Sequence, residues 1–335
     1  MNEKVKDSCL APAGKGLVNM NDMRPKVSIG LPVYNGENYL REALDSILSQ
    51  TFGDFEVVIS DNASKDGTEE ICRGYAAKDR RIKYFRNGRN IGAAKNFNLV
   101  FGLSTGEYFK WAAHDDLLGR EFLQRCVQVL DTDPSIGLCY SQVLKIDPSG
   151  NVVGTYEDDN EIRVDSASPH ERFHDLIHIP HYCIAVFGVV RAEVLKHTQL
   201  IGSYVGSDRC LLAEIGLRGK ICRVPEYLFS RRDHPESSIG KIRLPRERMG
   251  WFDPDKAGKP SLLNWRYAFE YAKSVRRVHL PRRERLSCYL HIARWTIKKR
   301  RMFYSDLRDA ARRTLERSVM GRKLLRFRRQ ILGRT

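Results

Sequence analysis

The sequence predicts an α/β protein with a mostly parallel sheet flanked by helices on both faces, followed by a basic helical C-terminal region. Three observations lead there. From Lys26 to about Ile146, short apolar runs alternate with amphipathic helical patterns. This β-α-β-α rhythm is the signature of parallel sheets whose crossover helices cover both faces. The apolar runs are each followed by turn residues and most by a carboxylate, at the strand ends where ligands bind in such sheets. Finally, the charge is split: residues 261–335 carry 22 Lys and Arg against 5 Asp and Glu, a net +17, while the whole chain carries +16. The first 260 residues therefore sum to about −1, and the basicity belongs to the tail.

The elements follow in order. VSIGLPV (27–33) reads as a buried strand and NYLREALDSILSQ (38–50) as an amphipathic helix. FEVVIS (55–60) is a second strand, and GTEEICRGYAAKD (67–79) a second helix. IKYFR (82–86) is a third strand; after RNGRN comes the helix GAAKNFNLVFGLS (92–104). EYFKWA (107–112) is a fourth strand, and HDDLLGREFLQRCVQVLD (114–131) holds a further helix. IGLCYSQVLKI (136–146) is a strand that the turn DPSGN returns toward VVGTY. Near residue 240 the composition shifts to Pro and charge, so we expect a flexible leader over 1–24, a catalytic domain over 25–240 and a basic helical region over 241–335.

Composition narrows the class. Hydrophobic residues make up 42 % of the 335, enough for a packed core. No run approaches the ~20 apolar residues needed to span a bilayer, and residues 1–24 lack the apolar segment of a signal peptide. The eight cysteines include no CxxC and no zinc-ribbon or disulfide spacing. Reduced, buried thiols in a cytoplasmic protein are the expectation. Neither GxGxxG nor GxxxxGK[ST] occurs, which removes the usual dinucleotide and P-loop cradles.

The strand ends carry the chemistry. They read Pro32-Val33-Tyr34-Asn35-Gly36, then Asp61-Asn62-Ala63-Ser64-Lys65-Asp66-Gly67-Thr68, then Arg89-Asn90-Ile91-Gly92, then His114-Asp115-Asp116. In a parallel sheet all four fall on one rim. Singly, each has a plain explanation, since Gly and Asn make turns and Asp or Thr caps the next helix. Their joint order and spacing are specific. Across about residues 25–240 the chain resembles the family 2 glycosyltransferases of GT-A fold, through LPVYNGENYLREALDSILSQTFGDFEVVISDNASKDGT, RNIG and HDDLL.

That resemblance implies roles. Tyr34, beside Pro32, packs on the nucleobase, and Asp61 hydrogen-bonds the base or ribose edge. Asp66 and Arg89 lie where the family contacts the nucleotide. Asp115 and Asp116 match the metal motif, here HDD, with Asp116 on the metal and Asp115 on the ribose or behind the metal. Asp208, in Gly206-Ser207-Asp208 before a helical run, matches the base that deprotonates the acceptor in inverting transfer; many members have Glu-Asp there, this chain Ser-Asp. Arg232 and His234, in RRDHPESS, resemble an R-x-H element that closes over the diphosphate or reaches the metal. The implied cofactor is Mg²⁺ or Mn²⁺, the donor a nucleoside-diphosphate sugar with UDP or dTDP favoured, and the acceptor a glycan or lipid-linked glycan.

The residue types suit the reaction. A diphosphate leaving group concentrates negative charge, and a hard cation held by one or two carboxylates stabilises it. A carboxylate opposite must take the acceptor proton as the oxocarbenium-like state collapses. A non-catalytic nucleotide binder would need neither Asp116 nor Asp208, and both are present.

Two features stand apart. His170-Glu171-Arg172-Phe173-His174 matches HExxH, the zinc-protease pattern, with His178 continuing the spacing. Ser168-Pro169 begins that helix and Pro180 bounds it, so a short polar helix on the acceptor side is the competing reading. The tail interleaves Arg and Lys with Trp251, Trp265, Tyr267, Trp295, Phe303, Tyr304 and Phe327. Anionic membrane, nucleic acid and a bundle packed on the catalytic domain are three readings of it. The membrane is favoured, giving a cytoplasmic protein peripheral at the inner face, and no nucleic-acid motif accompanies the charge.

Overall fold

A computed structural model describes residues 24–156, 162–237, 245–256 and 262–317. The expected leader, the expected boundary at 240 and the last residues of the tail, Phe327 among them, lie outside the described residues. The strands are β1 (Val27–Val33), β2 (Phe55–Asp61), β3 (Ile82–Arg86), β4 (Tyr108–Trp111), β5 (Leu117–Leu118), β6 (Ile136–Ile146), β7 (Val152–Thr155), β8 (Val189–Arg191) and β9 (Lys220–Arg232). They form one sheet in the order β3-β2-β1-β4-β8-β6-β9-β5, with β7 paired to β6. β3, β2, β1 and β4 are mutually parallel, and β6 and β9 are parallel to each other. β8, β5 and β7 run antiparallel to their neighbours. The sheet is thus mostly parallel, as the rhythm of the sequence predicts, with three short reversed strands inserted.

The helices are α1 (Leu40–Leu48), α2 (Thr68–Lys78), α3 (Ala93–Gly102), α4 (Phe122–Thr132), α5 (Pro169–His178), α6 (Ala192–Lys196), α7 (Ser207–Arg218), α8 (Pro245–Phe252), α9 (Leu263–Arg277), α10 (Arg282–Lys298) and α11 (Arg300–Arg317). β1 is buried along its whole length because both faces are covered. Val27, Ile29, Leu31 and Val33 point to the layer formed with Leu40, Leu44 and Ile47 of α1 and Leu123 and Val127 of α4. Val58, Phe109 and Trp111 point to the opposite layer, with Phe173 of α5 and Leu211 and Ile215 of α7. The two-residue alternation of a strand sorts these side chains between the layers.

The second layer continues into the basic tail. Tyr271 and Val275 of α9, Cys288, Ile292 and Trp295 of α10 and Phe303 of α11 are buried in the same core as Phe173 and Leu176. A buried charge cluster reinforces the seam: Glu214 of α7, fully enclosed, accepts from Ser274 Oγ (3.1 Å) and pairs with Arg277 and Arg218. The described basic helices pack on the catalytic layer rather than standing off from it. The seven described cysteines are free thiols.

Candidate active site

The parallel register places the first strand ends on one rim. Val33 lies opposite Asp61, and Asp61 opposite Arg86; β4 ends level with Gly30 and leads directly into Ala112–Asp116. The loops after β1 and β2 are tied together by their backbones. Asn35 donates its N–H to Ser64 Oγ (2.9 Å), Gly36 to Thr68 Oγ1 (2.8 Å) and Glu37 to Asp66 Oδ2 (3.1 Å). In return Lys65 and Gly67 donate to Asn35 Oδ1 and Glu37 Oε2. Gly36 is required by close approach, because a Cβ there would stand 2.7 Å from the His114 ring. The glycine thereby packs the loop after β1 against HDD.

Within this frame Tyr34 is 40 % exposed, an aromatic face open on the rim, and Arg89 is exposed. Pro32 is buried in β1, so it shapes the strand end beneath Tyr34. Asp61 and Asp66 are both engaged by neighbouring loop groups. Asp61 is fully buried; its Oδ1 accepts from Ser64 N–H (2.8 Å), and its Oδ2 from Tyr84 O–H (2.9 Å) and Arg86 Nε (3.3 Å). Asp66 accepts from the N–H groups of Glu37 and Thr68. Burial opposes its charge, but the Thr68 and Glu37 bonds outweigh that and hold its carboxyl below the usual range. In this structure both carboxylates organise the loop that faces the rim.

Asp115 and Asp116 sit between β4 and β5 with their carboxylates largely withdrawn from water. His234 Nε2 lies 2.9 Å from Asp115 Oδ2, and Asp116 Oδ1 accepts the Arg232 N–H (3.0 Å). Burial opposes ionisation of Asp115, yet the hydrogen bond from His234 and the charges of His114 and His234 keep its carboxyl low. Burial and the neighbouring Asp115 charge push Asp116 up to about 7. His234 is buried edge-on to Tyr39, and among the described residues its Nδ1 has no hydrogen-bond partner. Two adjacent carboxylates that resist joint ionisation, beside an unsatisfied imidazole nitrogen, form a donor set that suits a divalent cation. Among the described residues no three His, Cys, Asp or Glu side chains converge on an ion site by themselves, so phosphate oxygens would have to complete the shell.

Arg232 is 3 % exposed, and its guanidinium is engaged on all three nitrogens: Nε to the Asp115 carbonyl (3.0 Å), Nη1 to the Pro148 carbonyl (2.9 Å) and Nη2 to Glu42 (2.6 Å). It lies over the Tyr39 ring at 4.5 Å. This geometry clamps the HDD loop. Lys110, one strand residue before Trp111, was not singled out in the sequence. It is fully buried between the Phe122 and Phe229 rings, donates to the Phe187 and Trp111 carbonyls, and burial lowers it to about 7. The signal available was a lysine inside an apolar run, which a buried strand tolerates only for a reason.

Asp208 opens α7, and its Oδ1 accepts the Arg209 N–H (2.8 Å). Burial raises its carboxyl pKa, against the charges of Arg209 and Arg231. The preceding Gly206 has φ +74, and a Cβ there would strike the Tyr267 hydroxyl at 2.1 Å. Tyr267 of α9 in turn donates to the Val205 carbonyl (2.9 Å). The basic tail therefore buttresses the turn that presents Asp208. HERFH occupies α5, facing α10. His170 Nδ1 lies 3.3 Å from His291 Nε2, His174 Nδ1 2.7 Å from Asp175, and Glu171 is bonded to Ser166. These residues serve the seam between α5 and α10, and the helix buries Phe173, Leu176 and Ile177, so it is less polar inside than its sequence suggests.

Paired carboxylates on the carboxyl-end rim of a mostly parallel sheet are the arrangement of the GT-A class. The glycosyl transferase family 2 model matches residues 28–198, just over half the chain, and the chain belongs to that family. An uncharacterised glycosyltransferase of Rickettsia typhi is 37 % identical over 34 % of this chain and 35 % of its own. One of Methanocaldococcus jannaschii is 32 % identical over 40 % and 47 %, and glycosyltransferase GlyA of Streptococcus pneumoniae 32 % identical over 35 % and 17 %. The match thus spans less than half the length of these relatives. Among solved structures, S. aureus TarS in complex with UDP-GlcNAc superposes with a TM-score of 0.59 at 16 % identity, covering 85 % of this chain and 80 % of that one. A mannosyltransferase from Pyrobaculum calidifontis in complex with GDP-Man and Mn²⁺ superposes at 0.54 with 17 % identity, covering 92 % and 81 %. These two likenesses show the fold.

Proposed function

We propose that this glycosyltransferase moves a sugar from a nucleoside-diphosphate sugar to an acceptor hydroxyl with inversion, using Mg²⁺ or Mn²⁺ held at Asp116. The observation that carries the reading is the Asp115–Asp116 pair at the strand-end rim, Asp116 buried and Asp115 partly so, beside a His234 Nδ1 that has no partner among the described residues. A divalent ion there would neutralise the diphosphate as the glycosidic bond breaks. Tyr34 stacks the base, UDP or dTDP being favoured, and Arg89 contacts the nucleotide from the rim. Asp61 and Asp66 hold the loop that frames it, and Arg232 keeps HDD in register. Asp208 accepts the acceptor proton, and its raised pKa suits that task.

The metal assignment is tested by Asp116→Asn. Nucleotide titration by calorimetry with and without Mn²⁺ should show Mn²⁺-dependent affinity in the wild type and its loss in the variant, with an unchanged melting temperature. Wild-type metal dependence in the variant would place the ion elsewhere.

The acceptor is proposed to be a glycan or lipid-linked glycan, with the protein peripheral on an anionic membrane. No helix among the described residues is long and apolar enough to cross a membrane. α10 nevertheless shows an outer stripe at helical spacing: Leu286, Leu290 and Ile297 are 62, 49 and 64 % exposed, flanked by exposed Arg283 and Arg294. An apolar stripe bordered by cations suits the interface of anionic lipid, where each basic residue adds about 1 kcal/mol. Co-sedimentation with phosphatidylserine vesicles should fall as salt rises, and Leu290→Asp with Ile297→Asp should weaken it at least ~10-fold, a loss of ~1.4 kcal/mol, without lowering the melting temperature. Undiminished pelleting of the double variant would remove the membrane role of α10.

A further inference from the structure

One cation near the proposed reaction centre has no carboxylate of its own among the described residues. Arg231 precedes Arg232 on β9, and strand alternation sends the two side chains to opposite faces. Arg232 turns inward to clamp HDD. Among the described residues Arg231 makes no ion pair, and its guanidinium rests over the Tyr156 ring at 5.5 Å. Its backbone adjoins the Arg232 N–H that Asp116 Oδ1 accepts (3.0 Å), and its charge is among those that favour the ionised form of Asp208. It therefore lies near both the metal carboxylate and the base.

The surroundings of Arg231 close into a wall. Tyr156 follows β7 and is anchored by its N–H to the Val143 carbonyl (3.1 Å). It meets Tyr182 edge-on, with ring centroids 5.2 Å apart. Tyr182 is 56 % exposed and sits between His181 and Cys183 in a connection of fixed shape. Arg209, the neighbour of the base, grips the His181 carbonyl (2.8 Å), and Cys183 adopts φ +58, a conformation seldom taken by non-glycine residues. The contacts thus run from Asp208 through Arg209 and the His181 carbonyl to Tyr182, Tyr156 and Arg231, whose charge reaches back to Asp208. Open aromatic rings are surfaces on which the apolar faces of sugar rings settle, and an unpaired guanidinium is a fork for carboxylate or phosphate oxygens.

We propose that Arg231, Tyr156 and Tyr182 form the acceptor subsite, and that the acceptor is a carbohydrate bearing a carboxylate or phosphate next to the sugar that is glycosylated. The proposal rests on the reading of Asp208 as the base and Asp116 as the metal ligand. It adds a charge requirement that neither of those residues imposes. The reading above assigns the donor's diphosphate to HDD, which leaves Arg231 for the incoming partner.

The test uses the full chain and three hexose probes that differ at C6: methyl glucoside, its 6-carboxylate and its 6-phosphate. Binding is read by ligand-observed NMR titration, in parallel with UDP–Mn²⁺ titration by calorimetry. At least one anionic probe should bind at least ~10-fold more tightly than the neutral one, the size expected of a single charge-assisted bond. Whichever anion binds more tightly identifies the source of the charge. Arg231→Gln should abolish the preference while leaving UDP–Mn²⁺ affinity and melting temperature unchanged. Equal binding of all three probes by the wild type, or a preference that survives in Arg231→Gln, would overturn the proposal. So would a loss of UDP–Mn²⁺ affinity in that variant, which would place Arg231 on the donor. A wild type that prefers the anionic probes but binds neither UDP–Mn²⁺ nor any other nucleotide with metal would instead count against the donor-site reading.

Discussion

Ending the chain at residue 260 should give a protein that does not fold. The cut removes Tyr271, Val275, Cys288, Ile292, Trp295 and Phe303 from the core layer they share with Phe173, Leu176, Leu211 and Ile215. Burying each large apolar side chain contributes about 1.5–3 kcal/mol. A typical domain is stable by only about 5–15 kcal/mol, so losing six such residues consumes the margin. The cut also strips Arg277 and Ser274 from the enclosed carboxylate of Glu214, leaving Arg218 as its remaining partner. Breaking a buried ion pair in this way costs on the order of 3–5 kcal/mol. The turn before Asp208 would lose its Tyr267 brace as well. Soluble yield and thermal melts of the two chains decide the matter. A truncated protein that melts cooperatively near the full-length temperature would show that the seam is dispensable.

Asp208→Asn should lower transfer by at least ~100-fold, the lower range for removing a positioned general base, with donor affinity nearly unchanged. The carboxylate acts on the acceptor proton, and the amide that replaces it cannot accept that proton. The substitution keeps the shape of the side chain and its acceptor oxygen for the Arg209 N–H, so the start of α7 is preserved. The pH profile carries a second expectation. A base works in its ionised form, and burial raises the pKa of Asp208. Activity should therefore rise with pH through a limb lying above the ordinary carboxylate range, and that limb should vanish from the residual rate of the variant. Normal turnover in Asp208→Asn on a confirmed donor–acceptor pair would place the base elsewhere.

Much of the sheet was legible because a parallel strand buried on both faces reads as a nearly continuous apolar run. VSIGLPV and FEVVIS are such runs, and their ends fall opposite one another as expected. Of the reversed strands, β7 was legible in the turn DPSGN before VVGTY, and β5 and β8 were not. β5 has two residues and β8 three, too few for any period to show, and β8 owes its place to pairing with β4 and β6. In the candidate site, residue identity was easier to read than side-chain direction. The motif points to Asp61 and Arg232, yet one is sealed behind Ser64, Tyr84 and Arg86, and the other is spent on three carbonyls and Glu42. Apart from the Ser64 N–H, three residues on, those contacts join segments between about 20 and 190 residues apart and leave no local trace in the sequence. The tail's charge likewise concealed its apolar inner face, because Arg and Lys outnumber the residues that pack.

The stereochemistry of transfer tests the central claim most directly. With an α-linked nucleotide-sugar as donor and the full chain as enzyme, proton NMR of the newly formed linkage should show the β configuration, since one displacement assisted by a single base at Asp208 inverts the anomeric carbon. An α-linked product, formed with retention, would contradict the assignment of Asp208 as the base and the single-step mechanism built on it.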